Sequence, residues 1–374
     1  MRINRRTVVQ MLLLSLLMAS NAVYAGTRSG EEIEQEPAAQ KRSGVVYLPI
    51  LFYTPETKIG GGALVNYHYR ESGKERTSRP STLMPSLIYT QKKQAVAQLI
   101  TDLYWRNETY NLKSYTGYIK FPDTFYGIGH NTPEDMEENF TSRSARLEVS
   151  FQKKVRSGWH VGVQYDLIYS KLLEVEEGGL LTKGTILGSE EGTASGAGAF
   201  VNWDTRNNIF YPSSGRFYQV RASAFGRALG SDYRFNTYNL DFRQYCPLFS
   251  SHVLAFQGYL NLMSGDPPFQ LLSLLGGQEK MRGCYEGRYR DKNMMVFQME
   301  YRIMPVWRRF GLVGFVGFGD VSDEVEHFAL KDFKHAVGGG IRYKFSPEEE
   351  MNLRLDFGYG KDSSGMYITI GEAF

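Results

Sequence analysis

Residues 159–170 read WHVGVQYDLIYS. Trp159, Val161, Val163, Tyr165, Leu167 and Tyr169 hold one parity, while His160, Gln164, Asp166 and Ser170 hold the other. Successive side chains of a strand point to opposite faces, so this period of two marks a strand with one apolar and one polar face. The pattern returns where Ala145, Leu147, Val149 and Phe151 alternate with Arg146, Glu148, Ser150 and Gln152. It returns again where Leu353, Leu355, Phe357 and Tyr359 alternate with Asn352, Arg354 and Asp356.

Extended along the chain, this reading predicts strands at 46–53, 59–70, 81–91, 95–106, 109–121, 141–154, 159–171, 194–205, 216–227, 233–245, 251–263, 293–303, 311–321, 334–345, 350–359 and 365–374. That is sixteen, with Pro49 making the first the weakest, and single-chain bacterial barrels have even strand numbers. The segments 122–140, 172–193, 264–292 and 322–333 then fall on one side as long loops, and 156–158 (RSG) and 346–350 (SPEEE) on the other as short turns. Only 71–80 is long for a periplasmic turn. Aromatic residues are 14% of the chain, with 25 Tyr and 23 Phe beside two Cys, which suits the interfacial girdles of a membrane barrel and not a disulfide-stapled secreted domain.

The N-terminal stretch agrees. Arg2, Arg5 and Arg6 precede the apolar run Val8 to Ala19, and Val23 and Ala25 frame a small-residue cleavage site. The run is short of the roughly 20 residues a spanning helix needs, so 1–25 is predicted to be a secretory signal peptide. Residues 26–44 are polar and aperiodic and are expected to be a short disordered periplasmic leader, with an outer-membrane barrel over 45–374. The fold class is therefore all-β, a transmembrane antiparallel barrel surrounded by outer-membrane lipid. A soluble β-sandwich would also alternate, but sixteen strands exceed what one sandwich usually holds.

Enzyme, metal and nucleotide motifs are missing: the chain has no Gly-x-Ser-x-Gly elbow, His-Glu-x-x-His site or Cys-x-x-Cys pair. The six His (His68, His130, His160, His252, His327 and His335) are scattered, and His130 in "YGIGHN" reads as a solvated loop residue. Glycines 60–62 and 338–340 read as strand bends, not phosphate loops. The expectation is a non-enzyme without cofactor or metal. A net charge of +3, dispersed along the chain, gives no reason to expect nucleic acid.

One loop points to a family. Residues 276–293 read GGQEKMRGCYEGRYRDKN, and Met281, Arg282 and Gly283 resemble the start of the Val-Arg-Gly-Phe/Tyr motif of the BamA/TamA family of outer-membrane proteins. "FQMEYRIMP" (297–305), "GFVGFGDVSD" (314–323), "WDTRNNIFYPSSGRFY" (203–218) and the final "IGEAF" are similar to further family segments. The resemblance implies that loop 264–292 turns into the lumen and that Arg282, with Gly283, is anchored on the barrel wall. It also implies that Phe374 belongs to a C-terminal assembly signal read by the barrel assembly machinery.

By parity, Phe297, Met299, Tyr301 and Ile303 face out, so Gln298, Glu300 and Arg302 face in. With Val313 and Phe315 placed outward, Phe318 and Asp320 face in, and Arg282 is expected to meet Glu300 and Asp320. Inward Arg146, Glu148, Asp204, Arg206, Asp241, Arg243, Arg342, Lys344, Arg354 and Asp356 make a lumen lined by both signs, in which Glu300 is also an ordinary wall charge. Cys284 stands where the family has an aromatic residue, and Cys246 and Cys284 are expected as two thiols.

The family also implies periplasmic POTRA domains, for which the leader is too short, so a barrel-only member is expected. The resemblance implies a function in transport or outer-membrane biogenesis through a weak seam between first and last strands, which Pro49, Asn66, Gly371 and Glu372 permit. A periplasmic client-delivery partner or a homodimer fits this reading. The alternatives are a structural or lipid-homeostasis barrel and a simple diffusion channel.

Overall fold

The computed structural model describes residues 43–69, 80–133, 136–346, 350–361 and 363–374. The readings of 1–42 as signal peptide and leader, and of 71–79 as a long turn, lie outside the described residues. Sixteen strands close into an antiparallel barrel. They are β1 (Ser43–Thr54), β2 (Lys58–Tyr69), β3 (Ser81–Thr90), β4 (Ala95–Trp105), β5 (Tyr110–Phe125), β6 (Glu138–Arg156), β7 (Trp159–Val175), β8 (Gly192–Asp204), β9 (Gly215–Phe225), β10 (Arg234–Phe249), β11 (His252–Asp266), β14 (Asn293–Trp307), β15 (Phe310–Ser322), β16 (Lys334–Ser346), β17 (Met351–Gly360) and β18 (Ser364–Ile370). Between β11 and β14 the chain forms a two-stranded sheet of β12 (Ser273–Leu275) and β13 (Tyr289–Asp291), with the helical turn α1 (Gly277–Lys280) between them.

Each predicted strand has a counterpart, displaced by a few residues at its ends. The last strand ends short of its expected bound. β18 stops at Ile370, where Gly371 takes φ +89°, and the next residues leave the wall. A positive φ is open to Gly at no steric cost, which lets the chain turn there. Phe374 and Ala373 are then buried against Tyr245, Val253 and Ala255.

Alternation is kept in the wall because one face meets lipid and the other a polar interior. In β14, Phe297, Met299 and Tyr301 are exposed on the outside, and Gln298, Glu300 and Arg302 are buried inside. Aromatic side chains collect at the short-turn end. Trp105, Tyr110 and Phe151 stack there with centroids 5.9 Å apart, and Trp159 stacks on Trp203 at 5.3 Å. Such rings place an apolar body in lipid and a polar edge at the interface.

The strand ladder is uneven. β1 pairs with β2 at twelve positions, from Ser43 opposite Tyr69 to Thr54 opposite Lys58. The closing contact of β1 with β18 has one paired position, Tyr53 opposite Ile368. Much of the outer edge of β1 therefore lacks a strand partner in the ladder.

Candidate functional site

Most residues of the segment between β11 and β14 are buried. Leu275, Met281, Cys284 and Tyr289 form one apolar cluster with the wall residues Met294, Val296, Val321 and Ala336. From this cluster Arg282 projects, 1% exposed.

The Arg282 guanidinium spans two carboxylates carried by different strands. One Nη donates to Glu300 on β14 and the other to Asp356 on β17, the latter at 2.5 Å. The face of Phe315 lies beneath the guanidinium, 3.7 Å from ring centroid to Cζ. Two charge-assisted bonds in a fixed fork, together with an aromatic face, suit Arg and not Lys.

Further cations complete the set. Arg302 donates Nε to the second oxygen of Glu300 at 2.7 Å, with its Nη2 ion-paired to the same oxygen at 2.6 Å, and Arg342 donates Nη1 to Asp356 at 2.5 Å. Arg342 also donates Nε to Glu372 at 2.7 Å, and Asn352 donates to the other oxygen of Glu372 at 2.9 Å. Glu300 and Asp356 are both fully buried. Buried carboxylates stay charged only when paired and hydrogen-bonded, and each oxygen here has such a partner.

The backbone of the tripeptide is held as tightly as the side chain. The Gly283 amide donates to the Tyr367 hydroxyl at 3.1 Å, and the Ser363 hydroxyl donates to the Gly283 carbonyl at 2.6 Å. Gly283 takes φ +107°, and a Cβ there would meet the Tyr359 amide nitrogen at 2.7 Å. The opposing strand is also stripped of side chains: a Cβ on Gly358 would meet the Arg282 carbonyl at 2.7 Å, and one on Gly360 the Cys284 Sγ at 2.8 Å. Loop and wall thus touch backbone to backbone.

The far side of the segment reaches the connections β1–β2, β3–β4 and β5–β6. The Glu286 amide donates to Glu56 at 3.1 Å, Lys92 to the Tyr285 hydroxyl at 3.2 Å, and Arg288 to Thr132 at 2.7 and 2.8 Å. Burial, with Glu56 and Asp123 nearby, pushes the Glu286 carboxyl up to about 7.

The expected residues are only partly gathered here. Arg282, Gly283 and Glu300 meet. Asp320 does not reach Arg282; its carboxylate receives Lys334 at 2.6 Å and the Val321 amide at 2.9 Å. Phe318 is 44% exposed on the outer face, and Val313 and Phe315 are the inward residues, reversing the predicted parity of β15. Both parities of this strand are apolar, so period alone gives no direction. Phe315 lies against the Arg282 guanidinium and Gly317 beside Met281, and there an apolar wall is what packs.

Phe374 is tied to the network through Arg302, whose Nη2 donates to the Phe374 carbonyl at 3.0 Å. No disulfide joins Cys246 and Cys284. Asp356 and Arg342 were legible in the sequence as inward charges, but not as the partner of Arg282 and the second cation on that partner. Gly358 and Gly360, alternating in "FGYG", were the available signal for a close backbone approach.

The family model described as the Omp85 superfamily domain matches residues 83–374. No curated protein sequence matches the chain. Among solved structures, the barrel resembles BamA from Haemophilus ducreyi lacking POTRA domains 1-3, with TM-score 0.61 and 13% identity, covering 89% of this chain and 70% of that one. It also resembles CdiB from Acinetobacter baumannii, with TM-score 0.58 and 12% identity, covering 88% of this chain and 60% of that one. The chain thus spans about three-fifths of the CdiB chain, and at these identities the likeness concerns the fold. With a family match running from β3 to the last residue of a closed sixteen-strand barrel, the chain belongs to the Omp85 superfamily and is a bacterial outer-membrane β-barrel.

Proposed function

We propose that the protein is a translocation- or insertion-type barrel that works by parting the seam between β1 and β18. The observation that carries this is the single paired position, Tyr53 opposite Ile368, closing a wall whose first hairpin is paired at twelve positions. An unpaired strand edge exposes backbone donors and acceptors to lipid and is a template for another strand. A client strand is an occupant with matching chemistry.

In this reading the 264–292 segment, anchored through Arg282, braces the wall next to the seam while the seam itself moves. β17 bears Asp356 and pairs with β18, so the anchor steadies the strand behind the moving edge. A periplasmic partner that delivers clients, and the barrel assembly machinery during the protein's own insertion, are the partners this function calls for. The buried contacts of Met281, Arg282 and Cys284 speak against a freely conducting lumen.

The test is a seam lock. Tyr53→Cys with Ile368→Cys, oxidised in a background where Cys246 and Cys284 are Ser, should fail to complement depletion of the protein, and reduction should restore it. Depletion should lower particular outer-membrane proteins. A depleted strain with an unchanged outer-membrane proteome, or a locked barrel that complements fully, would refute the function.

A further inference from the structure

The outer face of the wall from β3 to β8 carries a feature that the seam does not use. Antiparallel partners share a face, so register alone places Leu87, Ala97, Tyr118, Ala145, Tyr169 and Thr193 side by side across six strands. They face outward, since Leu87 is 67% and Tyr118 48% exposed. Large side chains alternate with small ones along this row, and a groove of about 1020 Å³ opens there. It continues over Leu99, Leu147 and Leu167, one row nearer the short-turn end. That volume is at the upper end for a small-molecule pocket.

One row toward the long loops the chemistry changes. Lys120, Arg143 and Lys171 are paired neighbours on β5, β6 and β7 and share the same outward face. Arg143 interacts with the hydroxyls of Tyr169 and Tyr118, which ties the cation to the rim of the groove. Lys171 pairs with Glu191 at 2.8 Å, and the same carboxylate accepts from the Tyr169 hydroxyl at 3.1 Å. Three cations and one carboxylate therefore stand over an apolar trough.

Height places the row at the outer interface. Lys120 follows the girdle residue Tyr110 by ten positions on the same strand, or about 34 Å of strand. At the usual barrel tilt that is about 25 Å of membrane, the thickness of the apolar band. Like charges directly opposite one another destabilise a sheet, and cations on the lipid face are tolerated only near the interfaces. Both costs fall when an anion sits on the row.

We infer that this face binds a phosphorylated, multiply acylated lipid of the outer leaflet, with phosphate on Lys120, Arg143 and Lys171 and acyl chains in the groove below. Charge alone would suit any anion, and the groove alone any hydrocarbon. Their stacking, cation row above trough, selects a lipid with both.

The test is native mass spectrometry of the full chain in detergent with bisphosphorylated lipid A. One lipid should bind per barrel. Dephosphorylated lipid A, and the triple variant Lys120→Gln, Arg143→Gln, Lys171→Gln, should each bind roughly tenfold to a hundredfold more weakly. Ala145→Phe, which fills the trough and leaves the cations, should also weaken binding. Lys153→Gln, at the other end of the wall over the Tyr110 ring, should not. Heat-modifiable migration reports whether each variant is folded, and the two lipids on the unaltered protein decide the matter if the triple variant is not. Equal binding of the two lipids, a folded triple variant with full affinity, an equal loss in Lys153→Gln, or a dimer that Ala145→Phe disrupts would each overturn the site.

Discussion

At the residue scale the molecule turns on one guanidinium. Arg282 links Glu300 and Asp356 on strands that are not neighbours, so its two bonds tie β14 to β17 across the interior. Arg302 and Arg342 remain beside these carboxylates when Arg282 is removed, which limits the damage. Breaking a buried pair by deleting one partner costs about 3 to 5 kcal/mol in general, and we expect Arg282→Ala to lie near the lower value. Its barrel should lose heat-modifiable migration at a lower temperature and admit protease into 276–290. Arg282→Lys should recover only part of this, because an ammonium cannot present a planar fork to two acceptors. Unchanged unfolding and protease resistance in both variants would show that the network is not an anchor. The glycines opposite are part of the same fit, since any side chain at Gly358 would occupy the space of the Arg282 backbone.

At the scale of the element, the segment from β12 to β13 is held at two ends by different chemistry. The Arg282 end is ion-paired through both Nη atoms. The Glu286 end brings a carboxyl beside Glu56 and Asp123, with Glu279 and Lys280 also near, and burial with this crowding sets its pKa at about 7. A carboxyl whose folded pKa lies above its ordinary value of 4.5 binds its proton more tightly in the docked state. Docking is therefore strongest below about 4.5 and weakens as pH rises toward 7, by at most about 3 kcal/mol. Hydrogen exchange of the amides at 284–288 should quicken over that window, once corrected for intrinsic rates. Glu286→Gln should exchange with no such pH dependence. A slope that persists in Glu286→Gln would overturn the assignment to this carboxyl.

At the scale of the whole molecule, stability is unevenly spread around the ring. Fifteen of the sixteen strand contacts carry seven or more paired positions, several of them with a bulge or a gap, and one is a single pairing. Local opening takes place where backbone bonds are fewest. Amides of β1 on the edge facing β18 should therefore exchange well before those of β6 and β7, whose register runs from Phe140–Val175 to Arg156–Trp159. Uniform protection around the barrel would count against a seam that opens.

By itself the sequence determined what depends on near neighbours in the chain. Alternation named sixteen strands and the inward face of β14, and the resemblance of the Met281-Arg282-Gly283 tripeptide to a family motif singled out the loop that reaches the wall. These follow from a period of two and from local motifs, which survive without knowledge of the fold. Only the tertiary structure decided which carboxylates Arg282 meets: it takes Asp356, seventy-four positions onward, and leaves Asp320 to Lys334. It also turned Phe315 inward and Phe318 outward, and bent the chain after Ile370 so that Phe374 lies against Tyr245. The reason is one of range. A strand that is apolar on both parities carries no direction of its own, and the partner of a buried charge is chosen by where a long loop comes to rest between distant strands.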